Sequence, residues 1–166
     1  MLIGLISDTH DHLTMIERAV AFFNDKKVST VLHAGDVISP FTARRFKECR
    51  SRLILVYGNN DGDRSNLQRA FSEIGAQFYW PAAMLELDGK KVLVLHGEDL
   101  KLIEDIASRS MFDLIVSGHT HEPHVRSIGN TLWVNPGEAC GYLTNRPTVG
   151  LYDSLKHRVE IMELKG

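Results

Sequence analysis

The segment Leu2-Ile-Gly-Leu-Ile-Ser-Asp-Thr-His10 decides the fold of this chain. It is an apolar run of strand length that ends directly in an aspartate and a histidine. Later apolar runs end in the same way, and the polar motifs that follow the runs are Asp8-Thr9-His10, Gly35-Asp36, Gly58-Asn59-Asn60-Asp61, His96-Gly97 and Gly118-His119-Thr120-His121. If these runs are neighbouring strands, their carboxyl ends bring the motifs into one crevice, where open α/β sheets bind ligands.

The first half of the chain alternates strands and helices. The predicted strands are Leu2–Ser7, Thr30–Ala34 and Leu53–Tyr57. Apolar residues recur at helical spacing from Met15 to Phe23. Ser39 and Pro40 open a second helix as its N-cap and first helical residue, and a third helix follows Asp63. This alternation predicts parallel pairing in a first sheet.

The second half of the chain is richer in hairpins. Asp88-Gly89 and Gly129-Asn130 are two-residue turn signals. The predicted hairpins pair Met84–Leu87 with Lys90–Leu95, His124–Ile128 with Thr131–Asn135, and Thr148–Asp153 with Arg158–Leu164. A helix near Asp99 to Ser110 precedes a further strand at Asp113–Ser117. We therefore expect a second, largely antiparallel sheet. The predicted fold class is α/β, a four-layer α-β-β-α sandwich of two mixed β-sheets flanked by helices, forming one domain over residues 1–166.

Length and composition restrict the class of protein. The chain has 166 residues, of which 43% are apolar and 24% charged, as is typical of one globular domain. A formal net charge of −2 gives no basis for binding nucleic acid, although a small phosphoester is compatible with it. We find neither a signal-peptide pattern nor an apolar run of the roughly 20 residues that span a membrane. Cys49 and Cys140 lack metal-type spacing, so we expect reduced thiols in a cytoplasmic protein.

The polar motifs contain the side chains that divalent transition metals bind. Singly, each motif has a simpler interpretation, because an aspartate after a strand is often a helix N-cap and a lone histidine is often a surface or core residue. Such motifs at five strand ends would require five coincidences. A carboxylate can bind two ions, an amide oxygen is a neutral hard donor, and imidazole suits Mn, Fe, Ni, Co or Zn. The set of motifs therefore predicts a dinuclear metal site.

With this motif series the chain resembles the calcineurin-like metallophosphoesterases, from Asp8 to about Gly150. Its compact size and the turn Asn135-Pro136-Gly137 are similar to the YfcE-like prokaryotic phosphodiesterase branch of that family. The resemblance implies that two metal ions share the carboxylate of Asp36. It assigns Asp8, His10, Asp36 and His121 to one ion, and Asp36, Asn59, His96 and His119 to the other.

The chemistry expected of such a site is hydrolysis of a small phosphodiester. Paired ions about 3.5–4 Å apart can hold both oxygens of an in-line displacement, and water bound to them ionises near neutral pH. We expect a metal-bridging hydroxide to attack phosphorus directly, without a phospho-enzyme. The candidate catalytic residues are Asp36, Asn60 and His119. Manganese is the first candidate metal, with Ni, Co, Fe, Zn and Mg as alternatives. Small family members often form dimers, so a homodimer is expected.

The chain departs from the pattern of many larger family members at three positions. Those members carry a histidine that protonates the leaving oxygen and an aspartate that orients it, where this chain has Asn60 and Ser39. An amide cannot act as a general acid, and losing one typically lowers the rate by about 10²–10⁴. We therefore expect high activity on aryl diesters and low activity on alkyl monoesters. Glu98 replaces a histidine and adds negative charge near the site.

Two alternatives use the same motifs differently. The phosphoesterase-like subunit of retromer is similar to this compact branch and acts as a protein-interaction scaffold. A scaffold does not need the complete ligand set that this chain retains. A nuclease would share the metal chemistry, but the sequence indicates neither a basic groove nor an aromatic platform for a nucleic-acid strand. The phosphodiesterase is therefore preferred.

Several other polar residues carry weaker predictions. His33 is expected to be a hydrogen-bonded core residue rather than a catalytic one. Asp61 either orients Asn59 or caps the following helix. The segment Asn135-Pro136-Gly137-Glu138 is either a plain turn or a loop at the rim of the pocket. The cationic candidates for binding the substrate phosphate are Arg64, Arg126 and Arg146.

Overall fold

The computed structural model describes residues 1–165, which form strands and helices in the α/β order expected from the sequence. The strands are β1 (Leu2–Ile6), β2 (Thr30–His33), β3 (Arg52–Val56), β4 (Gln77–Tyr79), β5 (Ala83–Leu87), β6 (Lys90–Val94), β7 (Leu114–Val116), β8 (His124–Ile128), β9 (Thr131–Asn135), β10 (Thr148–Asp153) and β11 (Arg158–Glu163). The α-helices are α1 (Leu13–Asp25), α2 (Ala43–Phe46), α3 (Arg64–Ser72) and α4 (Leu100–Ser108). Within residues 1–165, none of the helices has the length and apolar character needed to cross a bilayer.

The strands form two mixed sheets. The first sheet has the order β11-β10-β1-β2-β3-β4, and the second has the order β5-β6-β7-β9-β8. In the first sheet β1, β2, β3 and β4 are parallel neighbours, and the β10–β11 hairpin pairs antiparallel with β1. In the second sheet β6, β7 and β9 are parallel, with β5 and β8 antiparallel at the edges. The parallel strands of each sheet thus present their carboxyl ends at one edge.

Apolar side chains fill the space between four layers of secondary structure. The helices α1, α2 and α3 pack on the first sheet through a core that includes Ile16 and Leu55. The two sheets pack on each other through a second core that includes Ile54. Helix α4 packs on the second sheet, where Ile103 and Trp133 are buried together. Leu55 and Ile54 belong to different cores because successive strand residues face opposite sides. The predicted α-β-β-α sandwich is confirmed.

The helix ends follow local sequence signals. His12, Asp63 and Asp99 are the N-caps of α1, α3 and α4, and each side chain accepts a hydrogen bond from a backbone N–H in the first turn. The predicted helix after Ser39 is shorter than expected, since it consists of a 3-10 turn and the four residues of α2. The Ser39 hydroxyl does not cap this turn because it donates to the carboxylate of Asp11.

One expectation about the second half of the chain is wrong. The second sheet is not largely antiparallel, because β7 pairs in parallel with both of its neighbours, β6 and β9. The hairpin β10–β11 pairs with the first sheet and extends it. Sequence analysis also overlooks β4, since its three residues are too few to show an alternating pattern. Pairing between distant strands, rather than local pattern, determines these features.

Candidate metal centre

The polar motifs of both sheets meet at one edge of the molecule. In the first sheet, Asp8 and His10 follow β1, Asp36 follows β2, and Asn59 and Asn60 follow β3. In the second sheet, His96 follows β6, and His119 and His121 follow β7. Contacts between side chains of different loops connect the group. The structure thus brings together the seven residues in which sequence analysis expects metal ligands.

Asp36 lies at the centre of this group. Its Oδ2 is 3.4 Å from Nε2 of His10 and 3.5 Å from Nε2 of His96. Asn60 donates to both carboxylate oxygens, from its backbone N–H to Oδ1 at 2.9 Å and from its side-chain amide to Oδ2 at 2.8 Å. Burial raises the pKa of Asp36. The hydrogen bond and positive charge of His96, together with the hydrogen bonds from Asn60, lower the pKa well below its usual value. Asp36 is therefore an ionised carboxylate between two imidazoles.

Asp8 is a second buried carboxylate, and one of its oxygens is unpaired. Its Oδ2 accepts hydrogen bonds from the Ser7 hydroxyl at 2.6 Å and from the backbone N–H of His119 at 3.1 Å. Its Oδ1 has no hydrogen-bond partner and lies 3.7 Å from Nε2 of His10 and 3.5 Å from Nε2 of His121. The buried Nε2 of His10 lacks a hydrogen-bond partner as well. Such buried atoms are rare in native structures, and an ion is one of the partners that explains them.

His96 and His119 meet at the amide oxygen of Asn59. This oxygen lies 2.9 Å from Nε2 of His96 and 3.0 Å from Nδ1 of His119. The Nδ1 of His96 donates to the carbonyl oxygen of Ala34 at 2.7 Å, since a carbonyl can only accept. Burial lowers the pKa of His96, but the hydrogen bond and charge of Asp36 raise it to about 9. The same attraction favours a metal cation at Nε2 in place of the proton.

Glu138 holds the His121 ring in position, and sequence analysis does not identify this role. Its Oε2 is 2.7 Å from Nδ1 of His121, and its carboxylate also accepts hydrogen bonds from Leu143, Thr144 and the thiol of Cys140. Burial raises the pKa of Glu138, but the bonds from His121 and Thr144 lower it to about 2. An ionised carboxylate only accepts, so His121 carries its proton on Nδ1 and directs Nε2 toward Asp8.

Asp61 connects the loops that follow β2 and β3. Its carboxylate accepts hydrogen bonds from the backbone N–H groups of Gly58 and Ile38 at 2.7 Å each and of Asp36 at 3.1 Å. Neither role predicted for Asp61 is observed, because it binds backbone groups rather than Asn59, and α3 is capped by another residue. Asp61 therefore fixes the backbone that carries Asp36.

His33 is the buried core residue that the sequence predicts. Its Nδ1 accepts a hydrogen bond from the backbone N–H of Gly35 at 3.2 Å, so the proton lies on Nε2, which donates to the Thr9 hydroxyl at 3.1 Å. Burial lowers the pKa of His33 to about 3. The ring is thus neutral, and its two hydrogen bonds connect the loop after β1 with the loop after β2.

The backbone at this edge adopts unusual conformations. Left-handed φ values between 38° and 69° occur at Asp8, His10, Asp36, His119 and His121. Residues with side chains rarely adopt this region, and such strain is concentrated at functional sites. Two glycines permit the close approach of the loops, since a Cβ atom at Gly58 would overlap the Asp36 carboxylate and one at Gly118 would overlap the Ser7 hydroxyl. The loops therefore place these side chains at the site although the backbone is strained.

The donor set fits divalent cations. The ligand atoms of Asp8, His10 and His121 lie within 4.8 Å of one another, as do those of Asp8, Asp36 and His96. Carboxylate oxygen and imidazole nitrogen together suit first-row transition metals. Buried carboxylates require compensating positive charge, which cations at this position would supply.

Comparison with known proteins places the chain in one family. Residues 1–156 match the calcineurin-like phosphoesterase superfamily domain. The chain belongs to this superfamily. A phosphodiesterase of Methanocaldococcus jannaschii is 39% identical over 157 residues, which cover 94% of this chain and 95% of the relative. The phosphodiesterase YfcE of Escherichia coli is 25% identical over 150 residues, which cover 82% of this chain and 78% of the relative.

Solved structures of other phosphoesterase-like proteins share the fold. A solved archaeal phosphodiesterase is 37% identical and gives a TM-score of 0.93, covering 99% of this chain and 100% of its own. Vps29 of Entamoeba histolytica, solved in complex with zinc, gives a TM-score of 0.70 at 18% identity, covering 99% of this chain and 100% of its own. The second likeness, at such low identity, shows the fold alone.

Asn60 and Ser39 occupy the two positions that, by the resemblance to larger phosphoesterases, would carry a proton-donating pair. The side chain of Asn60 donates to Asp36, whereas the Ser39 hydroxyl donates to Asp11. The two residues therefore bind different carboxylates and do not act together.

Of the three arginines considered for phosphate binding, one lies beside the site. The Nε of Arg64 donates to the backbone carbonyl of Asp61 at 3.2 Å, next to the motif that follows β3. Arg126 and Arg146 form exposed ion pairs with glutamates instead.

Proposed function

We propose that this phosphoesterase is a metal-dependent phosphodiesterase that hydrolyses a small phosphodiester. The observation that carries the proposal is the position of Asp36 Oδ2, which lies within 3.5 Å of imidazole nitrogens from both sheets, those of His10 and His96. The unpaired Oδ1 of Asp8 adds a second buried oxygen at the same place. The relatives named phosphodiesterases support the reaction type.

The residues that would hold the two ions form two sets, according to which side chains contact one another. We assign Asp8, His10, Asp36 and His121 to one ion, and Asp36, Asn59, His96 and His119 to the other. The contacts of Asp8 with His10 and His121 support the first set. The contacts of Asn59 with His96 and His119 support the second set. Asp36 belongs to both because its carboxylate faces both groups.

The chain's own residues supply positioning rather than proton transfer to the leaving group. When bound, two divalent ions, with manganese as first candidate, polarise a phosphoryl oxygen and lower the pKa of water. Asn60 holds the Asp36 carboxylate, and His119 lies beside Asn59, so both orient the proposed ligands. Asn60 cannot replace a general acid. A good leaving group is therefore required.

The direct test is hydrolysis by metal-stripped protein with single metals added back. We expect Mn²⁺ to restore rapid hydrolysis of bis(p-nitrophenyl) phosphate, with Ni²⁺, Co²⁺, Fe²⁺, Zn²⁺ and Mg²⁺ compared in parallel. A sugar monophosphate should react about 10²–10⁴ times more slowly, the usual effect of a missing general acid. Similar rates for the two substrates would contradict the leaving-group argument. Calorimetric metal binding without any turnover would contradict the phosphodiesterase itself.

We also propose that water displaces the leaving group without a covalent phospho-enzyme. Cys140 is a poor nucleophile, because its buried thiol donates to Glu138 and burial raises its pKa to about 12. A chiral phosphorothioate diester should therefore react with inversion at phosphorus. Overall retention would indicate a covalent intermediate and overturn this step.

The alternative of a protein-interaction scaffold has less support. The solved Vps29 structures have low identity to this chain and share its fold only. The convergence of Asp8, Asp36 and His96 at one buried point is unnecessary for docking a partner. Capture of a partner protein by a variant unable to bind metal, together with absence of turnover, would reverse this preference.

Two further proposals concern the setting of the enzyme. We propose a symmetric homodimer, the commonest assembly of soluble proteins, which light scattering of the purified protein tests by mass. We propose a cytoplasmic location because Cys49 and Cys140 are both free thiols. Fractionation of the native cells tests the second proposal.

A further inference from the structure

A cavity of about 200 Å³ opens beside His96, at the edge where the metal-centre loops lie. Its lining includes Tyr57, Trp80, Leu95, His96, Glu98 and Leu102. His96 is the shared element, since its ring also contacts Asn59 and Asp36. The cavity therefore borders a residue of the candidate metal centre.

Strand pairing places Trp80 close to the ligand loop. Trp80 follows β4 directly, and the last residue of β4, Tyr79, pairs with Val56 at the end of β3. Trp80 therefore lies opposite Tyr57, at one strand spacing of about 4.8 Å. Tyr57 in turn precedes Asn59 by two residues. An aromatic side chain at this position stands next to the loop that carries a proposed metal ligand.

The Trp80 ring is exposed but held in position. Its side chain is 57% exposed, an unusual state for a large aromatic residue. The guanidinium carbon of Arg64 lies 3.9 Å from the indole ring centre, and Arg64 itself is anchored to the carbonyl of Asp61. Stacking with arginine orders the ring without covering it fully. The indole therefore offers a preorganised flat surface, which the sequence alone does not indicate.

The polar side of the cavity includes the carboxylates of Glu98 and Asp99, which accept hydrogen bonds. Glu98 is exposed and has no hydrogen-bond or ion-pair partner within the described residues 1–165. Its neighbour Asp99 already accepts a hydrogen bond from the backbone of Leu102. A free carboxylate beside apolar walls favours a ring that carries an N–H donor.

We propose that this cavity binds the base of a nucleoside phosphodiester, with the base stacked on Trp80 and an amino group bonded to Glu98. The inference rests on the proposed phosphodiesterase function and names its substrate class. A volume of about 200 Å³ is below the about 300–1,000 Å³ of sites for drug-sized ligands, so it suits one ring system rather than a whole nucleotide. The phosphate then lies at the metal centre and the base beside His96.

Two esters with the same leaving group test the subsite. Adenosine 5′-(p-nitrophenyl) phosphate carries a base, and methyl p-nitrophenyl phosphate does not. We expect Trp80→Ala to raise KM about tenfold or more for the adenosine ester, the effect of losing one base–aromatic stack, with kcat nearly unchanged. The methyl ester should be unaffected, and Trp80→Phe should restore most of the KM. Met111→Ala, at a residue that is 59% exposed, is the matched control.

Glu98→Gln tests the polar contact. It should raise KM for the adenosine ester severalfold but leave the corresponding ester of purine riboside unchanged, because unsubstituted purine stacks like adenine but carries no N–H donor. Equal changes for both bases would remove Glu98 from the proposal. Equal changes for the adenosine and methyl esters in Trp80→Ala, or none, would overturn the subsite.

Binding of adenosine monophosphate provides a readout that does not depend on turnover. Trp80 is exposed whereas Trp133 is 1% exposed, so stacking should quench the solvent-exposed part of the tryptophan emission in a saturable way. Calorimetry should show weaker binding to Trp80→Ala. Hydrolysis of both esters without such binding would overturn the subsite alone. Saturable binding without hydrolysis of either ester would overturn the phosphodiesterase alone, and the absence of both would overturn both.

Discussion

The loops after the first sheet and those after the second sheet contribute different chemistry and are held in place differently. The first sheet supplies all three proposed oxygen ligands, Asp8, Asp36 and Asn59, and the imidazole of His10. Buried hydrogen bonds from backbone N–H groups to Asp61 join its loops after β2 and β3. The second sheet supplies only imidazoles, and single acceptors orient the rings of His96 and His121. For His96 that acceptor is a carbonyl of the first sheet, and for His121 it is Glu138.

This difference has a consequence for mutation. A change in the first set of loops alters backbone that several ligands share, so stability and function should fall together. A change in the second set alters one ring, so metal affinity should fall while the fold persists. The variants below separate these two responses.

The largest effect is expected from Asp36→Ala. Asp36 contacts imidazoles of both sheets, so its removal disrupts both proposed ion sites at once. The rate of bis(p-nitrophenyl) phosphate hydrolysis should fall beyond the about 10²–10³-fold that is typical for removing one stabilising donor. The control is Glu86→Gln, at an exposed residue of the edge strand β5, and it should keep full activity. Substantial activity in Asp36→Ala would show that the two sheets do not share this carboxylate.

The next effect is expected from Asp61→Asn. The amide retains only one acceptor oxygen for three backbone N–H groups, and each unsatisfied buried donor costs about 1–3 kcal/mol. The free energy of unfolding should fall by about 3 kcal/mol, with loss of activity. Urea denaturation measures the change.

Asp63→Asn is the matched control for Asp61→Asn. Asp63 lies two residues away and caps α3, a role that asparagine fulfils equally well. Equal stability of the two variants would mean that the loops of the first sheet do not depend on Asp61.

A smaller and purely local effect is expected from Glu138→Gln. The amide oxygen can keep the bonds that Oε1 accepts from Leu143 and Thr144, whereas the NH2 group that replaces Oε2 cannot accept from Nδ1 of His121. Loss of such outer partners typically weakens metal affinity about 10–100-fold. Calorimetric titration with Mn²⁺ measures this. The melting temperature should change little compared with Asp61→Asn. A large loss of stability instead would place Glu138 among the residues that hold the backbone.

The last effect is gradual and concerns the pH dependence of the metal-stripped protein. Burial lowers the pKa of His33 to about 3, against 6.5 for an unperturbed histidine, so the unfolded chain takes up the proton first. The stability that neutral His33 contributes is complete above pH 6.5 and is lost as pH falls toward 3, at up to about 1.4 kcal/mol per pH unit. His33→Asn keeps an acceptor for the backbone N–H of Gly35. It should reduce the slope of unfolding free energy against pH by up to about 1.4 kcal/mol per pH unit, which corresponds to the uptake of one proton. An unchanged slope from pH 6.5 to 4 would contradict the argument.

Prediction from sequence succeeds where the signal is local. The runs that end at Ser7, Ala34 and Tyr57 are apolar on both faces, and the polar residues follow them at once, so both strands and motifs can be recognised. The N-cap at Asp63 is also local. His33 fits its predicted core role because its strand is otherwise apolar.

Prediction fails where the partner is distant in sequence. Glu138 contacts His121 across 17 residues, and Asp61 binds the backbone of Asp36 across 25. The sequence suggests only local roles for Glu138 and Asp61, because the partner of a side chain depends on which loops meet in the folded protein. The pairing of β7 with β6 and β9, and the short strand β4, depend in the same way on sheet assembly.

The sequence by itself determined the α/β class, the order of the early strands along the chain and the set of candidate metal ligands, because apolar period and residue type are properties of short segments. Only the tertiary structure decided which atom faces which. It placed Asp36 Oδ2 between His10 and His96, set Glu138 behind His121, and put Trp80 beside the ligand loop. These relations join segments far apart in the chain, and strand pairing within each sheet and packing of the two sheets bring the segments together.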